Sequence, residues 1–168
     1  LWSLIKKYSV TYVEVVPSIL LALLNTPYKK DDYANINSIR FFGCGSSMLP
    51  LDRQIRFMEK FGIKVANLYG LSETGPTHID YPLDVGWKPG SIGVPLDVNE
   101  VKIVNENNRV VMEGEIGEII IKGDNVFIDY YGNNGLYNQV VKEGYFHTGD
   151  MGYVDKDGRH HFVGRKKE

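Results

Sequence analysis

Val65-Ala66-Asn67-Leu68-Tyr69-Gly70-Leu71-Ser72-Glu73-Thr74-Gly75-Pro76 begins as an apolar run and ends as a polar, glycine-marked loop. Its first four residues have the composition of a strand; the rest combine an aromatic ring, two glycines, the hydroxyls of Ser72 and Thr74, and one carboxylate. Toward the amino terminus, residues 50–61 place Leu51, Ile55, Met58 and Phe61 on one helical face and Asp52, Arg53, Arg56, Glu59 and Lys60 on the other, with Gly62 as a natural stop. Residues 39–42 read as a strand. Residues 19–24 read as a helix that is apolar all round and therefore buried, with Pro17 in its first turn. Residues 10–16 read as another strand, and Leu1, Leu4, Ile5 and Tyr8 follow helical spacing. Strand alternating with helix is the grammar of a doubly wound α/β fold with a parallel sheet, whose ligands gather beyond the carboxyl ends of the strands. The residues just after Phe42 and Leu68 are the first places to look for a site.

Past about residue 80 the grammar changes. Gly and Pro become dense through residues 82–95, and strand-like runs follow at 101–104, 110–112 and 118–122, around Phe146 and Tyr153, and at 160–163. Turns are marked at residues 105–108 and at Asp157-Gly158. The expected organisation is a partial α/β subdomain over residues 1–80, a small β-barrel-like subdomain over 81–163, and the start of a linking segment over 164–168.

Composition narrows the partners. Of the 168 residues 43% are hydrophobic, enough for a core, and 19 Lys plus Arg against 21 Asp plus Glu leave a net charge of −2. That balance argues against nucleic acid and anionic membranes and for small molecules. The single cysteine, Cys44, cannot form an internal disulfide, so a reduced, cytoplasmic setting is the default. The most apolar stretch, residues 15–24, is about half the length of a bilayer span and is interrupted by Pro17, so no transmembrane segment is expected. Both chain ends read as cuts through a longer protein, and the strand edge such a cut exposes is expected to favour self-association.

Gly43-Cys44-Gly45-Ser46-Ser47 lies between strand and helix, where glycines let a ligand approach and N–H groups can face it. It is not a dinucleotide fingerprint, because the third glycine would fall on Met48, and by itself it reads first as an ordinary turn. The parts of residues 69–76 suit a nucleotide: a ring to stack on a base, hydroxyls for phosphate oxygens, and an acid for a hard cation. His78, His147, His160 and His161 lack paired metal spacing, so no zinc site is expected. Cys44 reads as a buried small residue without a base, and Tyr130, Tyr131 and Tyr137 as packing or surface residues.

Residues 11–17, Gly45-Ser46, residues 69–76, Tyr145-Phe146-His147-Thr148-Gly149-Asp150 and Gly164-Arg165-Lys166-Lys167-Glu168 occur in the order and spacing of a known superfamily. Over nearly its whole length the chain resembles the adenylate-forming enzymes: acyl-CoA synthetases, luciferases and peptide-synthetase adenylation domains. The resemblance implies a parent enzyme that activates a fatty or aryl carboxylic acid with ATP and Mg²⁺, releases pyrophosphate, and passes the acyl group to coenzyme A. Carried over by position, Gly45 and Ser46 form the adenine-contacting loop, and Asn67 and Leu68 lie beside the nucleotide. Tyr69 stacks on adenine, Ser72 bonds the α-phosphate, and Glu73 binds Mg²⁺, which makes Ser72 and Glu73 the catalytic pair. Asp150 accepts from the ribose hydroxyls, Arg165 contacts the ribose and phosphate side, and Lys167 stands at the interdomain hinge. Without the resemblance Asp150 is a turn residue after Gly149, and residues 165–168 are a solvated charged tail.

Departures from the pattern bear on specificity. Cys44 and Leu68 stand where many members have glycine, adding bulk near the acyl or adenine pocket. Gly70-Leu71-Ser72-Glu73 replaces the Gly-Pro-Thr-Glu common in peptide-synthetase domains, which favours acyl or aryl acids over amino acids. The family's phosphate-cradling segment and catalytic lysine would fall outside residues 1–168, so this stretch alone is expected to be inactive. Two other readings stay open: an adenylation domain loading an amino or aryl acid onto a carrier protein, and a non-catalytic binding module.

Overall fold

The computed structural model describes residues 1–34, 36–133 and 135–166. They form two compact units: residues 1–68 with 80–90, and residues 69–79 with the described residues from 91 onward.

In the first unit α1 (Trp2–Tyr8) leads to β1 (Tyr12–Val15), then to α2 (Pro17–Asn25), the short α3 (Lys30–Tyr33), β2 (Phe41–Cys44), α4 (Leu51–Phe61) and β3 (Val65–Leu71). Pro17 sits in the first turn of α2, where its missing N–H has no helical partner to lose. β1 runs parallel to β2, and β2 parallel to β3, each pair joined through helix, as the alternating pattern predicts. The core is built around Trp2, Ile5, Leu20, Leu23, Phe42, Phe57, Phe61 and Val65. Its aromatic rings interlock, with centroids 4.7 Å apart for Phe57–Phe61 and 4.8 Å for Trp2–Phe61. The Lys60 ammonium on α4 donates to the carbonyls of Leu24 at 2.7 Å and Thr26 at 3.1 Å, satisfying acceptors that the end of α2 leaves open.

Two sequence expectations need correction here. The buried face of α4 is Gln54, Phe57 and Phe61, with Met58 partly buried beside them, whereas Leu51 and Ile55 are exposed. Residues 54, 57, 58 and 61 also obey helical spacing; the pattern hides because its first member is polar. Gln54 is buried because its amide donates to the Val65 carbonyl at 2.7 Å, tying α4 to β3. On α2, Leu20, Leu23 and Leu24 are buried but Ile19 is exposed, so one face of this apolar helix is covered.

The chain enters the second unit inside β3, at Tyr69, and strand order continues there with β4 (Gly75–Ile79) and β5 (Val94–Pro95). The remaining elements are β6 (Asn99–Val104), β7 (Gly117–Gly123), α5 (Leu136–Val140), β8 (Val141–Lys142), β9 (Tyr145–Val154) and β10 (His160–Arg165). The order β10-β9-β7-β6, with β8 also on β9, makes an antiparallel sheet curled into a half-barrel around Ile92, Ile103, Ile119 and Ile121. Residues 110–112 form only an isolated bridge from Val110 to Val104, with Val110 and Met112 exposed, so the run predicted there is not a strand. Phe146 and Tyr153 belong to one ten-residue strand, β9.

β9 survives the glycine in its middle by bulging. Glu118 pairs with Met151 and Ile120 with His147, leaving Ile119 opposite Thr148, Gly149 and Asp150, and Gly149 takes φ +70°. On the other edge the register slips again between Phe162 and Gly164 of β10. Among the described residues no helix is long and apolar enough to cross a membrane.

The packing of α4 yields a direct test. Phe57→Ala, at a fully buried position, is expected to lower unfolding free energy by about 3–5 kcal/mol. Ile55→Ala should lower it by about 1 kcal/mol or less, since that side chain is already partly in water. Equal losses in urea titrations would reinstate the face read from the sequence.

Candidate nucleotide site

The polar half of the opening stretch is tighter than a loop. Tyr69, Gly70 and Leu71 finish β3, Gly75 and Pro76 begin β4, and only Ser72, Glu73 and Thr74 form the turn. Gly70 is required by close approach, because a Cβ there would lie 2.1 Å from the Gly75 carbonyl oxygen. The buried Thr74 hydroxyl accepts the Leu71 N–H at 3.1 Å and donates to the Gly75 carbonyl at 2.9 Å, closing the turn from inside. Ser72 stays exposed at the tip. Glu73 is half-buried; its Oε1 accepts the Tyr130 hydroxyl at 2.9 Å, and its backbone carbonyl accepts the Phe127 N–H at 2.7 Å.

Asp150 is where distant segments meet. Its buried carboxylate accepts the Tyr69 hydroxyl on Oδ2 at 2.7 Å and Arg165 Nη1 on Oδ1 at 2.9 Å. Arg165 also donates to the Thr148 carbonyl at 3.1 Å. Tyr69 and Asp150 are 81 positions apart in sequence, yet the end of β3 and the bulge of β9 place them in contact. Burial, and then the negative charge of Asp150, push the Tyr69 phenol far above its ordinary range, so it remains a donor. The Arg165 side chain is 66% exposed against 7% for Asp150, so its guanidinium reaches out of the protein while one arm anchors inside. Tyr69, Asp150 and Arg165 are thus brought together; Glu73 sits in the same unit, hydrogen-bonded to Tyr130 instead.

The other sequence candidates lie in the first unit. Gly43 and Cys44 belong to β2, and the backbone turns at Ser46, whose φ is +70°. Gly45 donates its N–H to the Val15 carbonyl at 3.1 Å, and with Ser46, Glu14, Val15 and Val16 it lines a shallow cavity of about 330 Å³. Leu68 packs against Gly45, where a Cβ would come within 3.4 Å of the leucine Cβ. Asn67 is buried in β3; its N–H donates to Asp80 Oδ2 at 3.4 Å, and Asp80 Oδ1 accepts Trp87 Nε1 at 2.7 Å. Cys44 is buried, and burial pushes its thiol up to about 11, the opposite of what a nucleophile requires. Lys167, the hinge candidate, lies outside the described residues.

A family model described as AMP-binding enzyme matches residues 1–131. The chain belongs to this family. It is 38% identical over 173 residues to a probable 4-coumarate–CoA ligase 2 of Dictyostelium discoideum, an alignment covering 98% of this chain and 30% of the relative. Among solved structures it superposes on ATP-bound MatB from Rhodopseudomonas palustris with TM-score 0.85 and 31% identity, over 94% of this chain and 31% of that one. It also superposes on the anthranilate CoA ligase AuaEII in complex with anthranoyl-AMP with TM-score 0.85 and 25% identity, over 98% and 31%. The chain therefore spans about a third of the length of the relatives it matches.

Within this AMP-binding family member, four residues to which the sequence assigned no role are put to use by the fold. Tyr130 holds Glu73, and Glu118 contacts the β9 bulge. His78 and His160, 82 positions apart, share a hydrogen bond between Nε2 and Nδ1 at 3.0 Å, and His78 Nδ1 lies 3.0 Å from the Thr77 hydroxyl. The His78 ring also packs edge-on against Tyr69 at 5.2 Å. Local spacing carried no signal for any of these pairs, because each joins segments that meet only in the folded sheet.

Two measurements follow from this geometry. Tyr69→Phe removes the phenol donor from a buried carboxylate and should cost about 1.5–3 kcal/mol of stability, while Arg165→Ala, on an exposed side chain, should cost about 1 kcal/mol or less. A larger loss from Arg165 in chemical denaturation would invert that ranking. Burial first, and then the neighbouring histidine, lower His78 to about 3; burial first, and then His161, lower His160. Between those values and the ordinary imidazole range the unfolded chain binds more protons, so this stability is complete above about pH 6.5 and lost on acidification, by at most about 1.4 kcal/mol per pH unit for each histidine. His78→Gln should make the acid limb of a stability–pH curve shallower; an unchanged slope would exclude the pair as its source.

Proposed function

We propose that the protein activates a carboxylic acid with ATP and then transfers it to coenzyme A. A carboxylate oxygen of the acid attacks the α-phosphorus and pyrophosphate leaves with the P–O bonding electrons. The thiol of coenzyme A then gives up its proton to solvent as its sulfur attacks the acyl carbon, and AMP departs with the acyl C–O bonding electrons. The carboxylate is a poor electrophile, and the adenylate gives it a good leaving group.

The observation that supports this reading best is the buried Asp150 carboxylate held between Tyr69 and Arg165. Each carboxylate oxygen has accepting capacity beyond the one protein donor it holds, which suits the two hydroxyls of a ribose cis-diol. Arg165, outward-reaching and always cationic, suits the ribose and phosphate oxygens. Tyr69 supplies an aromatic face for adenine, and the exposed Ser72 hydroxyl supplies a donor for the α-phosphate. The ATP bound to the similar MatB and the anthranoyl-AMP in complex with the similar AuaEII accord with a nucleotide of this kind.

Glu73 fits Mg²⁺. It is a single carboxylate with one oxygen engaged by Tyr130, and Mg²⁺ commonly takes one or two carboxylates and completes its shell with phosphate and water. When bound, the ion would neutralise charge on the phosphates; Glu73 would hold it there. The Gly70-Leu71-Ser72-Glu73 sequence and the CoA-ligase names of the relatives favour an acyl or aryl acid and coenzyme A over an amino acid and a carrier protein.

ATP–pyrophosphate exchange by the full-length protein, across a panel of fatty, aryl and amino acids, tests the proposal. Acid-dependent exchange is expected, with thioester formed from coenzyme A. Asp150→Asn should raise the KM for ATP by about 10- to 100-fold, the equivalent of losing charged hydrogen bonds. Exchange absent with every acid, or coenzyme A unused while a carrier protein is loaded, would overturn it.

A further inference from the structure

Glu118 performs a task that no motif assigns to it. It stands at the end of the regular β7–β9 pairing, opposite Met151, where the β9 bulge begins. Its side chain is only 13% exposed. Oε1 accepts the Gly149 N–H at 3.1 Å. Oε2 lies 3.4 Å from His147 Nδ1 and 3.7 Å from the Lys166 ammonium. One carboxylate therefore touches the residues on both sides of Thr148 and the residue just after Arg165.

The bulge explains why such a group is needed. Three residues of β9 face the single residue Ile119, so the ladder cannot satisfy every backbone group there. The Thr148 hydroxyl settles part of the deficit, donating to the Ile119 carbonyl at 2.7 Å and accepting the Asp150 N–H at 2.9 Å. Glu118 accepts the Gly149 N–H, and the Gly149 carbonyl accepts the Lys166 N–H at 2.8 Å. With Gly149 held from both sides, the next residue, Asp150, has its backbone direction set, and Lys166 carries Arg165 toward it.

We infer that Glu118 is a positioning residue for ribose recognition: it fixes the β9 bulge so that Asp150 and Arg165 stand ready for a nucleotide. The inference rests on the proposed adenylating activity and deepens it. Capping Gly149 needs only an acceptor, so a neutral amide should serve; removing both oxygens should not be tolerated.

The test compares Glu118→Gln with Glu118→Met, which keeps the aliphatic stem and lacks an acceptor, in the full-length protein. The readouts are KM and kcat in pyrophosphate exchange with ATP and with 2′,3′-dideoxy-ATP. Wild type should prefer ATP. Glu118→Met should raise the KM for ATP by about tenfold and leave that for the dideoxy nucleotide unchanged, because a misplaced Asp150 matters only where hydroxyls are present. Glu118→Gln should stay within about threefold of wild type for both. Hydrogen exchange over residues 145–151 should quicken in the methionine variant alone.

Equal KM rises for both nucleotides in the methionine variant would mean a general structural role and overturn the inference. So would an unchanged KM, unchanged exchange, or a glutamine variant as impaired as methionine. Wild type that does not distinguish the two nucleotides would instead sink the ribose reading itself, and the inference with it; that outcome is visible before any Glu118 variant is made.

Discussion

A carboxylate taken out of water has to be paired, and the second unit is organised around pairing one. Desolvating an ion costs several kcal/mol, which is recovered only when its oxygens find donors of good geometry. Asp150 finds a phenol from the end of β3 and a guanidinium from the end of β10, both under 3 Å. The end of β3 is thereby tied to β9 and β10. Removing the Tyr69 phenol would leave one buried carboxylate oxygen without its donor, so the cluster steadies this unit as well as offering a surface to a ligand.

The irregularities of the sheet serve that cluster. A regular strand alternates its side chains strictly; β9 keeps that alternation through the slip at Thr148-Gly149-Asp150, whereas the slip between Phe162 and Gly164 breaks it in β10. The first depends on a glycine at φ +70°, where an added Cβ would also approach the Arg165 guanidinium at 3.3 Å. Glu118 and Thr148 then supply the hydrogen bonds that the interrupted ladder lacks. The β3–β4 turn is braced comparably: Asn125 donates to the Thr74 carbonyl at 2.7 Å, Asn99 to Asn125 at 2.6 Å, and Tyr130 holds Glu73. The candidate functional groups of this unit are thus set on supported backbone, the condition under which hydrogen-bond donors and acceptors act without reorganising.

The first unit works on other terms. Its parallel strands are held by an aromatic core and by helices whose ends are tied down, Lys60 at the end of α2 and Gln54 at the start of β3 being the polar fasteners. Membership in the AMP-binding enzymes accords with both units, since the family model spans residues 1–131 and the similar structures cover 94% and 98% of the chain.

Much of this was legible in the residues themselves. Alternating strand and helix patterns marked the parallel sheet, Gly62 and Asp157-Gly158 marked a helix end and a hairpin, and the runs at 69–76, 145–150 and 164–168 marked the family. These signals are local: backbone conformation, periodicity and motif order depend on near neighbours along the chain. What sequence alone left open is pairing across distance. Gln54 had a place on neither helix face until the Val65 carbonyl lay beside it, Gly149 looked like a turn until β7 and β10 flanked it, and His78, Glu118 and Tyr130 had no partners until the chain was folded. A residue's type and spacing record which conformations it tolerates; which buried donor meets which acceptor is decided by strand register, and register exists only in the folded molecule.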